Sequence, residues 1–334
     1  MKKYQIVSDE GIDELHLTEG NMPSIGEMDV LVRMKASSIN YRDLATIENP
    51  MPRKINFPLV PNSDGVGEVV EMGKKVTRVS IGDRVCGIFF QTWIDGEITS
   101  NDMANALGGT IDGVLCEYRT FHEDGLVKIP SHLTDAEAST LPCAGVTAWN
   151  SLVDKGCVKP GSTVLLLGTG GVSIMALQFC QMLGVKAILT SSSDEKLEKA
   201  QALGAWQVIN YKKEPDWDLL VLDITNGFGV DHVVEVGGAG TLSKSINSVR
   251  ISGSIGLIGI LTGGQIDPTP MLRKSLHIHG VYVGHRRMFE DMNRAISAHE
   301  MRPVIEHTYP LDSARDAYHA MRAANHFGKL TITL

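Results

Sequence analysis

Six residues, Gly168-Thr169-Gly170-Gly171-Val172-Ser173, stand between a wholly apolar run at 164–167 and an apolar-periodic segment that ends at Leu183-Gly184. That order reads as strand, glycine turn, helix. A turn at a strand end needs freedom at φ, and a pyrophosphate reaches backbone N–H groups and the positive end of a helix only where no Cβ intervenes. Gly168 and Gly170 take the first two positions of a G-x-G-x-x-G fingerprint, and Ser173 takes the third, where a small residue lets helix and strand pack. Isolated glycine turns also occur in methyltransferases and in plain structural turns. A strand on each side favours a dinucleotide site here.

The end of the second strand, at 187–189, distinguishes the two dinucleotides. An NAD site carries a carboxylate there for the ribose 2′-hydroxyl, and that charge would repel a 2′-phosphate. This strand runs out into Thr190-Ser191-Ser192-Ser193, with Lys196 one helical turn later. Hydroxyls and an ammonium suit a phosphate, so the expected cofactor is NADP(H), bound by Ser191, Ser192, Ser193 and Lys196. Ser193 also reads as the cap of a helix over 194–203. Asp194 keeps an NAD reading open. Tyr211, at the end of the next strand, is placed to lie along the adenosine or simply to pack.

These residues need a scaffold, and 334 residues suffice for about two domains with a core each. Hydrophobic content of 43%, charged content of 21% and a net charge of −8 without a basic block describe a globular protein, with neither nucleic acid nor membrane as partner. The N-terminus MKKYQIVSDEG lacks the apolar core of a signal peptide, which makes the expected location cytoplasmic. Five scattered cysteines without a C-x-x-C read as reduced thiols, mostly buried. Short β-rich runs at 4–7, 29–36, 65–71 and 83–87 suggest a small barrel. Beyond 211, strands at 231–236, 253–260 and 276–283 bring the parallel sheet to six, with a helix at 240–248. Helices at 289–299 and 313–324 and a strand at 329–333 close the chain. The irregular stretch 89–115, with Phe89, Phe90 and Trp93, reads as either an apolar pocket wall or a surface excursion.

N-Y-R-D at Asn40 to Asp43, G-D-R-V at Gly82 to Val85, the L-P-C-A-G-V-T-A-W stretch at 141–149, the glycine fingerprint and the closing F-G-K-L-T-I together resemble the medium-chain dehydrogenase/reductase superfamily over essentially the whole chain. The resemblance implies an α/β fold, a doubly wound Rossmann sheet inserted in a GroES-like β-rich catalytic domain. The catalytic domain would take residues 1–144 and return at 285–334, with the NADP(H)-binding domain at 145–284 and the active site in the cleft between. It also implies pyrophosphate contacts from Gly170, Gly171 and Val172, a nicotinamide contact from Thr147, and strand-end loops at Gly237, Gly259, Ile260 and Leu261.

Zinc-dependent members of that superfamily hold the metal with Cys, a His from G-H-E, and a second Cys. Here the motif places Asn40, Ser63 and Cys143 at those positions, and no cysteine lies between Cys86 and Cys116 to build a structural zinc lobe. One thiolate with an amide and a hydroxyl is not a tetrahedral zinc site, so no metal is expected. The sequence is similar to the zinc-free quinone oxidoreductase-like branch, whose members are often named zinc-type alcohol dehydrogenase-like. Without a Lewis acid, hydride removal from a simple alcohol lacks its electrophile, whereas quinones and α,β-unsaturated carbonyls accept hydride at a conjugated carbon and place charge on oxygen. The catalytic candidates are therefore Asn40 and Tyr41 as donors, with Ser63 third. Each has a plainer reading: Asn40 holding its loop, Tyr41 walling the nicotinamide, and Arg42 with Asp43 as an ion pair.

The expected substrate is an apolar carbonyl compound or quinone. A zinc-free NAD(P)-dependent alcohol dehydrogenase and a non-catalytic nucleotide-binding protein are the alternatives. The resemblance further implies a homodimer through the sheet edge at 276–283.

Overall fold

The computed structural model describes residues 1–51, 55–259 and 261–334. The chain divides into two compact units, Met1–Val146 with Gly284–Leu334, and Thr147–Val283. The sequence had suggested limits at 144 and 284.

The first unit is built on a seven-stranded sheet. Its centre is the strand Asp29–Ile39, whose neighbours are Asp64–Met72, Tyr118–His122 and Lys329–Thr333, all antiparallel to it. Arg84–Gly87 and Leu126–Lys128 continue one side, and Ile305–Pro310 forms the other edge, parallel to Lys329–Thr333. The pairing of Leu330 with Ile39, and of Ser38 with Asp64, brings three distant segments together where the central strand ends. Two apolar clusters flank the sheet. One gathers Ile39, Leu44, Ile47, Tyr318 and Leu330, and the other Val30, Val32, Val69, Leu107 and Phe121.

The second unit is a parallel six-stranded sheet. Its order is Gln207–Asn210, Lys186–Ser191, Thr163–Leu167, Val230–Glu235, Val249–Leu257, His277–Gly280. The third strand of this unit thus lies at one edge and its first at the centre, the doubly wound order of dinucleotide-binding sheets. Strands covered on both faces carry no polar alternation, and Val164, Leu165 and Leu166 are accordingly all fully buried. The helix Gly171–Leu183 buries Ile174, Met175, Leu177 and Phe179.

Several elements lie outside the sequence expectations, among them the helices Tyr41–Glu48 and Trp217–Ile224 and the strands Tyr118–His122, Leu126–Lys128 and Ile305–Pro310. The stretch at 89–115 also departs from one of its two readings. Phe89, Phe90 and Trp93 are buried and stack edge to face in series, and the Arg42 guanidinium lies 4.7 Å over the Phe89 ring. They form core rather than an apolar pocket wall. The cavity beside this segment, about 320 Å³, is lined by Asp95, Arg286, Arg287, Glu290, Asp291 and Arg294 and is charged. All five cysteines are free, and only Cys157 is exposed. Among the described residues no helix is long and apolar enough to cross a membrane.

Candidate active site

In the second unit, Gly168 ends its strand at φ +74° and Gly170 immediately precedes the helix Gly171–Leu183. A Cβ built on either glycine meets nothing within 4 Å. The helix start carries no side-chain cap, so its first N–H groups face that open space. Ser173 donates from Oγ to the Leu167 carbonyl at 2.6 Å, tying helix to strand at the third fingerprint position. A bare positive helix end behind an open glycine cradle fits the pyrophosphate of a dinucleotide.

At the end of the second strand, Ser191 is buried and its Oγ accepts from the Ser193 N–H. Ser193 caps the following helix by accepting from the Lys196 N–H. Ser192 is half-buried between them. The Asp194 carboxylate binds Lys213 Nζ and Asn210 Nδ2, both at 2.6 Å, and these bonds, Lys213 first, hold its pKa below the usual carboxylate value. Asp194 therefore has a lysine counter-ion of its own, and Tyr211 beside this corner is exposed.

The remaining cofactor candidates divide by exposure. Thr147 is buried, Gly171 and Val172 are half-buried at the helix start, Leu261 is exposed, and Ile260 lies outside the described residues. Gly237 and Gly259 have a packing reason to be glycine. The Glu235 carboxylate, fully buried, accepts from the N–H groups of Gly237 and Gly238, from Thr241 Oγ1 and from Ser245. This knot folds the chain so tightly that a Cβ at Gly259 would stand 1.7 Å from the Val236 carbonyl oxygen. Gly259→Ala is expected to cost about 3 kcal/mol of stability, while Gly170→Ala costs less than about 1 kcal/mol. Urea unfolding of the two variants checks the contrast.

In the first unit, the three catalytic candidates sit where the central strand meets Asp64–Met72 and Lys329–Thr333. Asn40 begins the helix Tyr41–Glu48, and its N–H donates to Asp43 Oδ2 at 2.9 Å. The other Asp43 oxygen accepts from Ser63 N and from Arg42 Nη1, which also reaches the Leu107 and Gly108 carbonyls. Arg42 and Asp43 are thus the expected ion pair. Asn40 is 8% exposed, its Oδ1 accepts from Lys329 Nζ at 2.5 Å, and its Nδ2 is buried without a hydrogen-bond partner. Tyr41 is 51% exposed.

Ser63 departs from its expected role. It is fully buried, and its Oγ donates to Asp64 Oδ1 at 2.6 Å, so its one proton is committed and it offers a substrate no donor. The other Asp64 oxygen accepts from Cys143 N at 3.0 Å.

Asp64 and Lys329 are both buried charges. Burial raises the Asp64 pKa, partly offset by the Lys329 ammonium, and the Ser63 hydroxyl and Asn40 amide turned toward it lower it further. Burial lowers the Lys329 pKa against the opposing pull of Asp64. The Cys143 thiol is pushed well above the ordinary thiol range by burial and then by the Asp64 charge. At the three positions where zinc-dependent relatives carry ligands stand the Cys143 thiol, the Ser63 hydroxyl committed to Asp64 and the Asn40 amide bonded to Lys329. Among the described residues no three His, Cys, Asp or Glu side chains are grouped to hold a metal. Lys329 and Asp64 were not among the sequence candidates. Their signal was present in the closing F-G-K-L-T-I and in Asn62-Ser63-Asp64, where motif matching drew attention to the neighbours.

Comparison with known proteins agrees with both units. Residues 26–131 match the alcohol dehydrogenase GroES-like domain, and residues 171–298 match the zinc-binding dehydrogenase family. A zinc-type alcohol dehydrogenase-like protein of Schizosaccharomyces pombe is 41% identical over 98% of both chains. The chain belongs to the medium-chain dehydrogenase/reductase superfamily. Within that superfamily, a solved NAD-dependent alcohol dehydrogenase superimposes with a TM-score of 0.91 at 28% identity, covering 100% of both chains. The quinone oxidoreductase from Coxiella burnetii gives 0.83 at 26% identity, covering 100% of this chain and 99% of its own. This medium-chain dehydrogenase/reductase is therefore an oxidoreductase of a family that binds a nicotinamide cofactor.

Proposed function

We propose that this chain is an NADPH-dependent reductase of quinones or α,β-unsaturated carbonyls that works without catalytic zinc. The observation that carries the reading is the bond from Lys329 to Asn40, which puts an ammonium on a residue at a family zinc-ligand position. Bound NADPH would supply the hydride, which adds with its electron pair to the conjugated carbon of the acceptor. The displaced π electrons move to the carbonyl oxygen. Asn40 Nδ2 and the Tyr41 phenol are the donors for that oxygen, and Tyr41, exposed, can pass a proton from water to the product. The preference for the phosphorylated cofactor is supported by the hydroxyl-rich strand end and by the Lys213 partner of Asp194, which removes the free carboxylate an NAD site would offer the ribose.

The reading predicts that 1,2-naphthoquinone or an enal is reduced with a kcat/KM at least about tenfold higher for NADPH than for NADH, by protein holding substoichiometric zinc. A preference for NADH would transfer the site to the alcohol dehydrogenase alternative, with Asp194 serving the ribose. Stoichiometric zinc after dialysis would overturn the metal-free mechanism, and failure to oxidise NADPH with any such acceptor would favour a non-catalytic nucleotide-binding protein. The homodimer and a cytoplasmic location remain part of the proposal.

A further inference from the structure

The closing strand contributes a lysine that the reaction just proposed does not use. Lys329 is fully buried, and its ammonium donates to the Ile39 carbonyl at 2.8 Å and to Asn40 Oδ1 at 2.5 Å. A buried ammonium is costly unless its partners are good, and the start of an interior strand can be filled by an apolar residue instead. Its position has a specific effect on Asn40. An asparagine amide can present either oxygen or nitrogen, and a cation bonded to Oδ1 excludes the flipped orientation. It also draws electron density from the amide, so the opposite N–H becomes a stronger donor. That N–H₂ is buried with no partner in good hydrogen-bond geometry; it is turned toward the Asp64 carboxylate, which a substrate oxygen would replace as its acceptor. Asp64 acts on the Lys329 charge from within the same buried cluster, and the direct hydrogen bonds of the ammonium are to the Ile39 carbonyl and Asn40.

We infer that Lys329 is a positioning residue for the reductase proposed above: held by the Ile39 carbonyl, it orients and polarises the Asn40 amide toward the oxygen on which negative charge develops. The inference rests on that functional reading for its substrate class, and its own content is that Lys329 acts through Asn40.

Because it acts through Asn40, the effects of the two residues are not additive. Lys329→Met is expected to lower kcat for quinone reduction about 10- to 100-fold with KM changed less than about threefold. In an Asn40→Ala background, adding Lys329→Met should change kcat by less than about twofold. A purely structural lysine would instead lower Tm and cost the same factor in both backgrounds, which overturns the inference. Should Lys329→Met not fold, Asn40→Asp supplies the test. It keeps an acceptor for Lys329 and removes the donor, so it should fold and show the same loss in kcat, and full activity in it would overturn the inference.

A second measurement needs no turnover. 4-Nitrophenolate, an aromatic oxyanion whose absorbance reports its ionisation, is titrated into the wild-type protein saturated with NADP⁺ and into the two variants. The wild type should bind the anion about tenfold or more tightly than either variant. No binding by the wild type, or equal binding by all three, overturns the inference whatever the turnover assay shows. Absence of NADPH-dependent reduction with the affinity difference intact overturns only the choice of substrate.

Discussion

Gly170→Val is expected to weaken NADPH binding by about 100-fold or more while leaving the protein folded, with a stability loss near 1 kcal/mol. The expectation follows from what surrounds this glycine. Its φ of −79° and ψ of −176° are open to any residue, and a Cβ there touches no protein atom. The fold therefore gives no reason for glycine. The branched side chain would instead fill the space in front of the uncapped helix Gly171–Leu183, where the N–H groups and the helix dipole are available to a phosphate. Two or three charge-assisted hydrogen bonds to a pyrophosphate, each worth about 1.5–3 kcal/mol, exceed the 2.7 kcal/mol that a hundredfold change requires. Fluorescence titration of NADPH, paired with urea unfolding of the same samples, reads both numbers. Unchanged affinity would place the dinucleotide elsewhere, and lost affinity with lost stability would make Gly170 a packing residue like Gly259.

The contrast between those two glycines marks how far the sequence can be read. The strand, turn and helix around Gly168 and Gly170 are legible because apolar period and turn chemistry are local. Thr163–Leu167 and Lys186–Ser191 announce themselves by their apolar runs for the same reason, whereas Gln207–Asn210 and His277–Gly280 are half polar or more. The run WDLLVLDI at Trp217–Ile224 is apolar almost throughout, and such a run does not separate helix from strand by period. Ile305–Pro310 is a half-exposed edge strand with three polar residues, Glu306, His307 and Thr308, and a proline, held by its pairing to Lys329–Thr333, and that pairing is a tertiary fact.

The chemistry of the first unit is the least legible part. The bond between Lys329 and Asn40 spans 289 positions, and the motif that marks Asn40 says nothing of its partner. Ser63 looks like a donor by residue type and becomes an unavailable one because Asp64 follows it directly with a carboxylate at 2.6 Å. Phe89, Phe90 and Trp93 have the composition of a ligand pocket and the burial of a core, and composition alone does not distinguish the two.

Acid should destabilise this protein through one residue that has no part in its proposed chemistry. His232 lies in the middle of the parallel sheet, fully buried, with Ser151 Oγ 2.9 Å from Nε2 and Ser254 Oγ 2.8 Å from Nδ1. A neutral imidazole satisfies both hydroxyls, donating to one and accepting from the other, whereas an imidazolium would leave a buried charge without a counter-ion. Burial, and secondarily His279, lowers its pKa to about 3 from an ordinary value of 6.5. Above about pH 6.5 the residue is neutral in both folded and unfolded chains and contributes nothing to the pH dependence. Between about pH 6.5 and 3 the unfolded chain takes up a proton that the native state refuses, so stability falls as pH falls, by about 1.4 kcal/mol per unit. Carboxylates with depressed values, such as Asp194, also lose stability in acid, so the diagnostic quantity is a difference between two proteins. His232→Gln keeps a donor and an acceptor between the serines and removes the titration. Its unfolding free energy at pH 7.5 should lie below wild type by the cost of imperfect packing, and the gap should close by about 2 kcal/mol between pH 6 and pH 4.5. Parallel curves for the two proteins over that interval would show that His232 charges without penalty, and the buried hydrogen-bond pair with Ser151 and Ser254 would then open before the sheet does.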